Sequence, residues 1–166
     1  ELSVKGGVNK IVEYTGEGLS DLSLTDRATI CNMGAELGAT TSVFPTDENT
    51  LAYLKQQGRE DEYVEMKADD DATYDETIEI DMSTLVPMVA QPHSPDNVVD
   101  VKDLEGMKIN QVVIGSCTNS SLPDMMRAAK ILKGRKVAED VSLVIAPGSS
   151  SILSMLAQNG ALADMI

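Results

Sequence analysis

Residues 112 to 121 read VVIGSCTNSS: a β-branched run, a glycine, then Cys117 among hydroxyl and amide side chains. Three chemistries suit a cysteine there. It can be a packed thiol, because a small cysteine sits well under a sheet edge and Ser, Thr and Asn are preferred helix caps. It can be a nucleophile, but a Cys–His pair would have to recruit His93, the one histidine, and a C-x5-R loop would need arginine where Pro123 stands. It can be a metal ligand, although one cysteine cannot hold a metal alone.

The elements around this run decide where Cys117 is placed. The pattern predicts a strand at 111–114, a helix at 123–132, a strand at 142–146 and a helix at 152–159, with loops GSCTNSS and PGSSS after the two strands. Alternation of this kind implies α/β architecture, βαβα with a mainly parallel sheet, in which function collects at the carboxyl ends of strands. If the two strands are neighbours, their loops share one edge, rich in hydroxyls and helix-N-terminal amides, a setting that suits an anion or a sulfide-rich cluster.

Upstream, Gly6 and Gly7 and then Gly16 and Gly18 bracket a short helix or strand. Ser23 or Thr25 can cap a tightly packed helix whose small residues run from Ala28 to Ala39, with Gly34 and Gly38 as a bare stripe. Pro45 stops it, Thr46 caps a second helix through Gln57, and Gly58 ends that one. Thr77 to Asp81 reads as a strand. QPHSPDN, with Pro92 and Pro95, reads as part of a linker near 91–108, so that residues 1–95 and 96–166 form two partial α/β/α units. His93 falls in that linker and reads as a surface or turn residue.

Composition narrows the function classes. With 166 residues, 42% hydrophobic, one Phe and no Trp, the chain is a globular protein with a Val, Ile, Leu, Met and Ala core. Aromatic platforms for nucleic-acid bases are scarce, and a net charge of -14 repels phosphates and anionic membranes. Glu60 to Asp81 holds eleven acids and one base, whereas 105–166 holds five acids and six bases. ADDDATYDE lacks the glycine and terminal glutamate of an EF-hand in register, and a solvated loop is the simpler reading. Two cysteines 86 positions apart do not form a disulfide framework, and with no membrane-length apolar run or signal sequence a cytoplasmic setting is expected.

IGSCTNSS before an amphipathic helix, with RATICNMGAELGATTSVFPTDE upstream, VKGGVNKIVEYTGEG at the start and QPHSPDNV between, resembles the aconitase family of iron-sulfur hydratases. The resemblance covers essentially the whole chain. It implies that Cys117 is the first of three ligands to a [4Fe-4S] cluster, the other two belonging to a C-G-P-C segment that this sequence does not contain. The cluster's open iron would act on the hydroxyl and carboxylate of a small tricarboxylic acid. Carried over from CNMGAE, Asn32 and Glu36 lie at the active-site cleft, Glu36 toward iron-bound solvent and substrate with Asn32 hydrogen-bonding beside it. Read without the resemblance, they are an Asn and a Glu exposed on one helical face. Cys31 reads as a partly buried free thiol.

By that resemblance the chain is a piece spanning parts of the second and third domains of a larger enzyme, partnered by the remaining domains and contacting no nucleic acid or membrane. GAELGATTSVFP favours the aconitate hydratase branch, isomerising citrate to isocitrate in the tricarboxylic acid cycle. The alternatives are a 3-isopropylmalate dehydratase or homoaconitase large subunit, or a non-catalytic module of the same fold. Holding one thiolate of three, the chain by itself is expected to carry no cluster and no hydratase activity.

Overall fold

Strand β1, Ile11–Glu13, helix α1, Leu24–Met33, and strand β2, Thr41–Val43, form a βαβ unit in which the two strands pair in parallel, Ile11 opposite Thr41 and Glu13 opposite Val43. The computed structural model describes residues 2–116 and 118–166. It divides into two compact units, Glu1–Glu105 and Gly106–Ile166.

Helix α1 starts where the sequence places a cap. Ser23 accepts the Asp26 N–H and the Asp26 carboxylate accepts the Ser23 N–H, a reciprocal box that satisfies two otherwise orphaned donors. The helix ends at Met33, well before the stop expected at Pro45, and tightens into a 3-10 turn at Gly34–Leu37. Glycine is the reason. Gly38 adopts φ 74°, a left-handed stop, and a Cβ on Gly34 would collide with the Ser42 hydroxyl. The two glycines therefore end the helix against β2 instead of lining its face.

Helix α2, Glu48–Gln56, is capped by Asp47, not by Thr46. The Thr46 hydroxyl is engaged elsewhere: it accepts the Met66 N–H at 2.6 Å and donates to the Val64 carbonyl at 3.0 Å, fastening the acidic segment. Thr77–Asp81 is not a strand. Ile78 and Ile80 are exposed and, among the described residues, no second strand pairs with this segment, so alternation alone does not form a ladder. The pairing falls later, between β3, Met88–Ala90, and β4, Val98–Asp100, antiparallel with Val89 opposite Val99. QPHSPDN is the connection of this hairpin, and residues 98–100 thereby belong with the first unit. Prolines mark a turn here as readily as a linker.

Among the described side chains of the first unit, the buried one is a charge. Arg27, 2% exposed, pairs with the Asp47 carboxylate and donates to the Leu19 carbonyl at 2.7 Å and the Pro45 carbonyl at 3.4 Å. Its guanidinium lies 5.9 Å from the centre of the Phe44 ring, which stacks on Tyr14 at 4.5 Å. The partners come from Leu19 before α1 and from residues 44–47 between β2 and α2, so one side chain fixes α1, the end of β2 and the start of α2.

The second unit is apolar inside. Strands β5, Gln111–Gly115, and β6, Ser142–Ala146, pair in parallel from Gln111 opposite Ser142 to Gly115 opposite Ala146. Helices α3, Leu122–Leu132, α4, Ser150–Gln158, and α5, Ala161–Met165, pack Met125, Ala129, Leu156, Ala161 and Met165 together, with Ile114 and Ile145 from the sheet against them. The α/β class and the parallel β5–α3–β6–α4 order agree with the sequence pattern.

All four tyrosines, at positions 14, 53, 63 and 74, belong to the first unit, so tyrosine fluorescence reports its unfolding. Arg27→Ala removes the ion pair and the carbonyl hydrogen bonds that join α1 to residues 44–47 and should lower the stability read this way in urea by about 2 kcal/mol. The Arg27 hydrogen bond also holds the Asp47 carboxyl below its ordinary value. A depressed carboxyl stabilises the fold fully above its unfolded value of about 3.9, and that contribution is lost as pH falls through the folded value. Asp47→Asn should therefore flatten the urea midpoint against pH below about pH 4 relative to the parent chain, with less change in slope near neutrality.

Candidate functional site

In the first unit, Asn32 stands in the last turn of α1 and Glu36 in the following 3-10 turn. Both are exposed. Their i, i+4 spacing crosses from one helical geometry to a tighter one, so the shared α-helical face expected for them is interrupted at Gly34. Asn32 lines a groove of about 480 Å³ between the end of α1 and the start of β2, with Cys31 and Ala35 beside it and Thr40, Thr41 and Ser42 opposite; Glu36 is not among its lining residues.

Packing of glycine shapes this groove. The missing side chain of Gly34 admits Ser42, and Gly7 lies so close to Ala39 that a Cβ there would come within 3.0 Å of backbone. Ala39 N–H donates to the Gly34 carbonyl at 3.2 Å and Gly7 N–H to the Leu37 carbonyl at 2.9 Å, closing the turn that carries Glu36. Cys31 is half-buried, its sulfur 3.5 Å from the Ser42 carbonyl, and burial pushes its thiol pKa up. A thiol so placed is less reactive at neutral pH than an ordinary one. The Tyr14 phenol is raised for the same reason. His93 is exposed on the β3–β4 connection.

In the second unit, the loops leaving β5 and β6 share the carboxyl edge, as the order of elements implies. Cys117 lies outside the described residues. Its neighbours are divided between two tasks. Ser121 caps α3 in a reciprocal box with Asp124, and Ser149 caps α4 by accepting the Ile152 N–H at 3.2 Å. The capping role is thus real for these two serines. Ser116 and Ser120 do something else. The Ser116 hydroxyl accepts the N–H of Thr118 at 3.1 Å and of Asn119 at 3.5 Å, while the buried Ser120 hydroxyl donates to the Ser116 carbonyl. These bonds fold the loop on itself.

The donor set tests whether a metal group fits. Among the described residues, no three His, Cys, Asp or Glu side chains are grouped so as to hold a metal ion. An iron-sulfur cluster needs several thiolates. Apart from Cys117 the chain has only Cys31, whose thiol turns toward Ser42 in the first unit. The residues of this chain do not by themselves complete a cluster site. No described helix is long and apolar enough to cross a membrane.

Sequence reasoning missed Arg27 and Asp47, which position α1. The available signal was a single basic residue in the helix, with an Asp just after Phe44-Pro45-Thr46.

Comparison with known proteins adds what geometry leaves open. The family model described as the aconitase family (aconitate hydratase) matches residues 1–166. A protein of Archaeoglobus fulgidus named 3-isopropylmalate dehydratase large subunit 2 is 45% identical over 152 residues, 92% of this chain and 36% of its own length. The 3-isopropylmalate dehydratase large subunit of Clostridium kluyveri is 45% identical over 97% of this chain and 38% of its own. The protein of that name from Caldicellulosiruptor saccharolyticus is 46% identical over 96% and 37%. The chain spans a little over a third of the length of these curated relatives. Matched by the family model from end to end, and similar to such relatives over nearly all of its length, the chain belongs to the aconitase family.

Proposed function

We propose that this chain is part of the large subunit of a hydro-lyase acting on 3-isopropylmalate. What carries the reading is identity of 41–46% to proteins named 3-isopropylmalate dehydratase large subunits, over at least 92% of the chain. These identities favour the alternative, a dicarboxylic hydroxy acid whose third arm is apolar, over the citrate isomerisation and the place in the tricarboxylic acid cycle expected from GAELGATTSVFP.

The chemistry removes a hydroxyl and a proton from neighbouring carbons as water and can return them in exchanged positions. In this chain Glu36 is assigned to the proton, because its carboxylate is exposed on a turn braced by Gly34, Gly38 and Gly7. Asn32 is assigned to hydrogen bonding with substrate, because its side chain lines the groove. Cys117 is assigned as one thiolate of a [4Fe-4S] cluster, by its place in GSCTNS. The name "large subunit" borne by the relatives supports a complementary small subunit as partner.

The parent protein, purified with its small subunit and reconstituted with iron and sulfide, should show a higher kcat/KM for 3-isopropylmalate than for citrate. A preference for citrate would return the chain to the aconitate hydratase branch. In the same assay Glu36→Gln should lower kcat by about 100-fold or more with little change in melting temperature. Parallel losses of activity and stability would make Glu36 structural.

A further inference from the structure

The groove at the end of α1 has few polar groups to offer a ligand, and packing withdraws most of them. Of about 480 Å³, it is bounded by Asn32 on the helix side and by residues 39–42 on the strand side, and none of its lining residues carries a charge. The Cys31 sulfur is turned to the Ser42 carbonyl at 3.5 Å. The Ser42 hydroxyl is buried where Gly34 makes room for it. Thr40 is different: it is exposed, and its hydroxyl has no hydrogen-bond partner among the described residues.

The period of the strand sets the side on which Thr40 stands. Ser42 lies against Gly34 and the Phe44 ring lies under Arg27, so the even-numbered residues of this strand turn toward α1. The Thr40 N–H donates to the Lys10 carbonyl at 2.8 Å, which carries the pairing of β1 with β2 one residue ahead of Thr41 and keeps Thr40 in that alternation. Thr41 and Val43 take the other face, where both are exposed. The turn that carries Glu36 also delivers Thr40. Gly38 reverses the chain at φ 74°, and the Ala39 N–H closes the turn on the Gly34 carbonyl. Asn32, Glu36 and Thr40 therefore follow one another at four-residue intervals around one glycine-braced turn, with Asn32 and Thr40 on opposite walls of the groove.

We propose that Thr40 is a substrate-binding residue: its hydroxyl donates a hydrogen bond to a carboxylate of the hydroxy acid that Asn32 meets from the opposite wall. The inference rests on the reading of this groove as part of the acid site of the hydro-lyase. A carboxylate accepts from several directions at once, and no acidic side chain lines the groove to repel it. With no cation there either, the groove holds the acid by neutral donors, so the loss of one is felt directly in binding. The carboxylates are the part that hydroxy acids with different third arms have in common. Thr40 accordingly bears on affinity and not on the choice among them.

Steady-state kinetics of the reconstituted parent protein with its small subunit test this. Thr40→Val, which keeps the branched shape and removes the hydroxyl, should raise KM for 3-isopropylmalate about tenfold, with kcat within about twofold and an unchanged melting temperature. Thr40→Ser restores the donor and should return KM to near the parent value. Thr41→Val, a hydroxyl lost from the other face of the same strand, should leave KM at the parent value. A parent KM in Thr40→Val, an equal rise in Thr41→Val, or a Thr40→Ser variant as impaired as Thr40→Val overturns the assignment. So does a fall in melting temperature that accompanies the rise in KM and makes Thr40 structural. If the parent protein prefers citrate, the 3-isopropylmalate reading fails, and the KM ratio of Thr40→Val to parent, measured on citrate, still decides the role of Thr40.

Discussion

The first unit depends on a guanidinium that has been taken out of water. Arg27 could be buried only with partners in place, because an unpaired charge in the interior costs several kcal/mol. Those partners are the Asp47 carboxylate, two backbone carbonyls and the face of Phe44, and they come from both sides of β2. Apolar burial is thin in this unit: Ile11 and Val43 on the strands remain 68% and 41% exposed. A pair of this kind contributes less to net stability than to uniqueness, since elements that must converge on one guanidinium have few ways to be arranged. The wall of the groove follows from it. Asn32 lies five residues beyond Arg27 on the same short helix, so fixing the helix by its middle fixes the turn that leads to Glu36.

The second unit solves the same problem by the opposite means. Methionine, leucine and alanine from three helices close over Ile114 and Ile145, and the polar chemistry is pushed to the carboxyl edge of the strands. Parallel strands in register bring their exits side by side, so the loop of one can be fastened by the loop of the next. The face of the pair that carries Val113 and Val144 stays exposed at 62% and 42%, on a kind of sheet that is ordinarily covered on both sides.

What could be read from the sequence was whatever local pattern alone determines. The β5–α3–β6–α4 order is written in apolar period and in caps, and Ser23 announces α1 through its Asp three residues on. Thr77–Asp81 has the alternation of a strand yet forms none, because a ladder needs a second strand that alternation cannot summon. QPHSPDN has the composition of a linker and serves as a hairpin connection. Arg27 escaped notice because its partners lie 8 to 20 positions away, and nothing in the spacing of Leu19, Pro45 and Asp47 marks them as neighbours. Asn32 and Glu36 are singled out only through resemblance. As residue types on a helix they are ordinary, and their exposure is shared by much of the unit.

GAELGATTSVFP shows how a run of residues can carry fold and say little about substrate. In GAELGATTSVFP, Gly34 makes room for the Ser42 hydroxyl, Gly38 supplies the left-handed stop, Ala39 lies against Gly7, Phe44 stacks on Tyr14 and faces Arg27, and Pro45 offers Arg27 a carbonyl. Half of the twelve positions are taken up with close packing, a turn or the guanidinium, while Glu36 in the same run stays exposed. Such residues answer to the geometry of the βαβ turn between α1 and β2. Substrate choice is made by side chains that meet the one part of the substrate that differs between members, its third arm, and a residue already committed to holding β2 against α1 is poorly placed to do that.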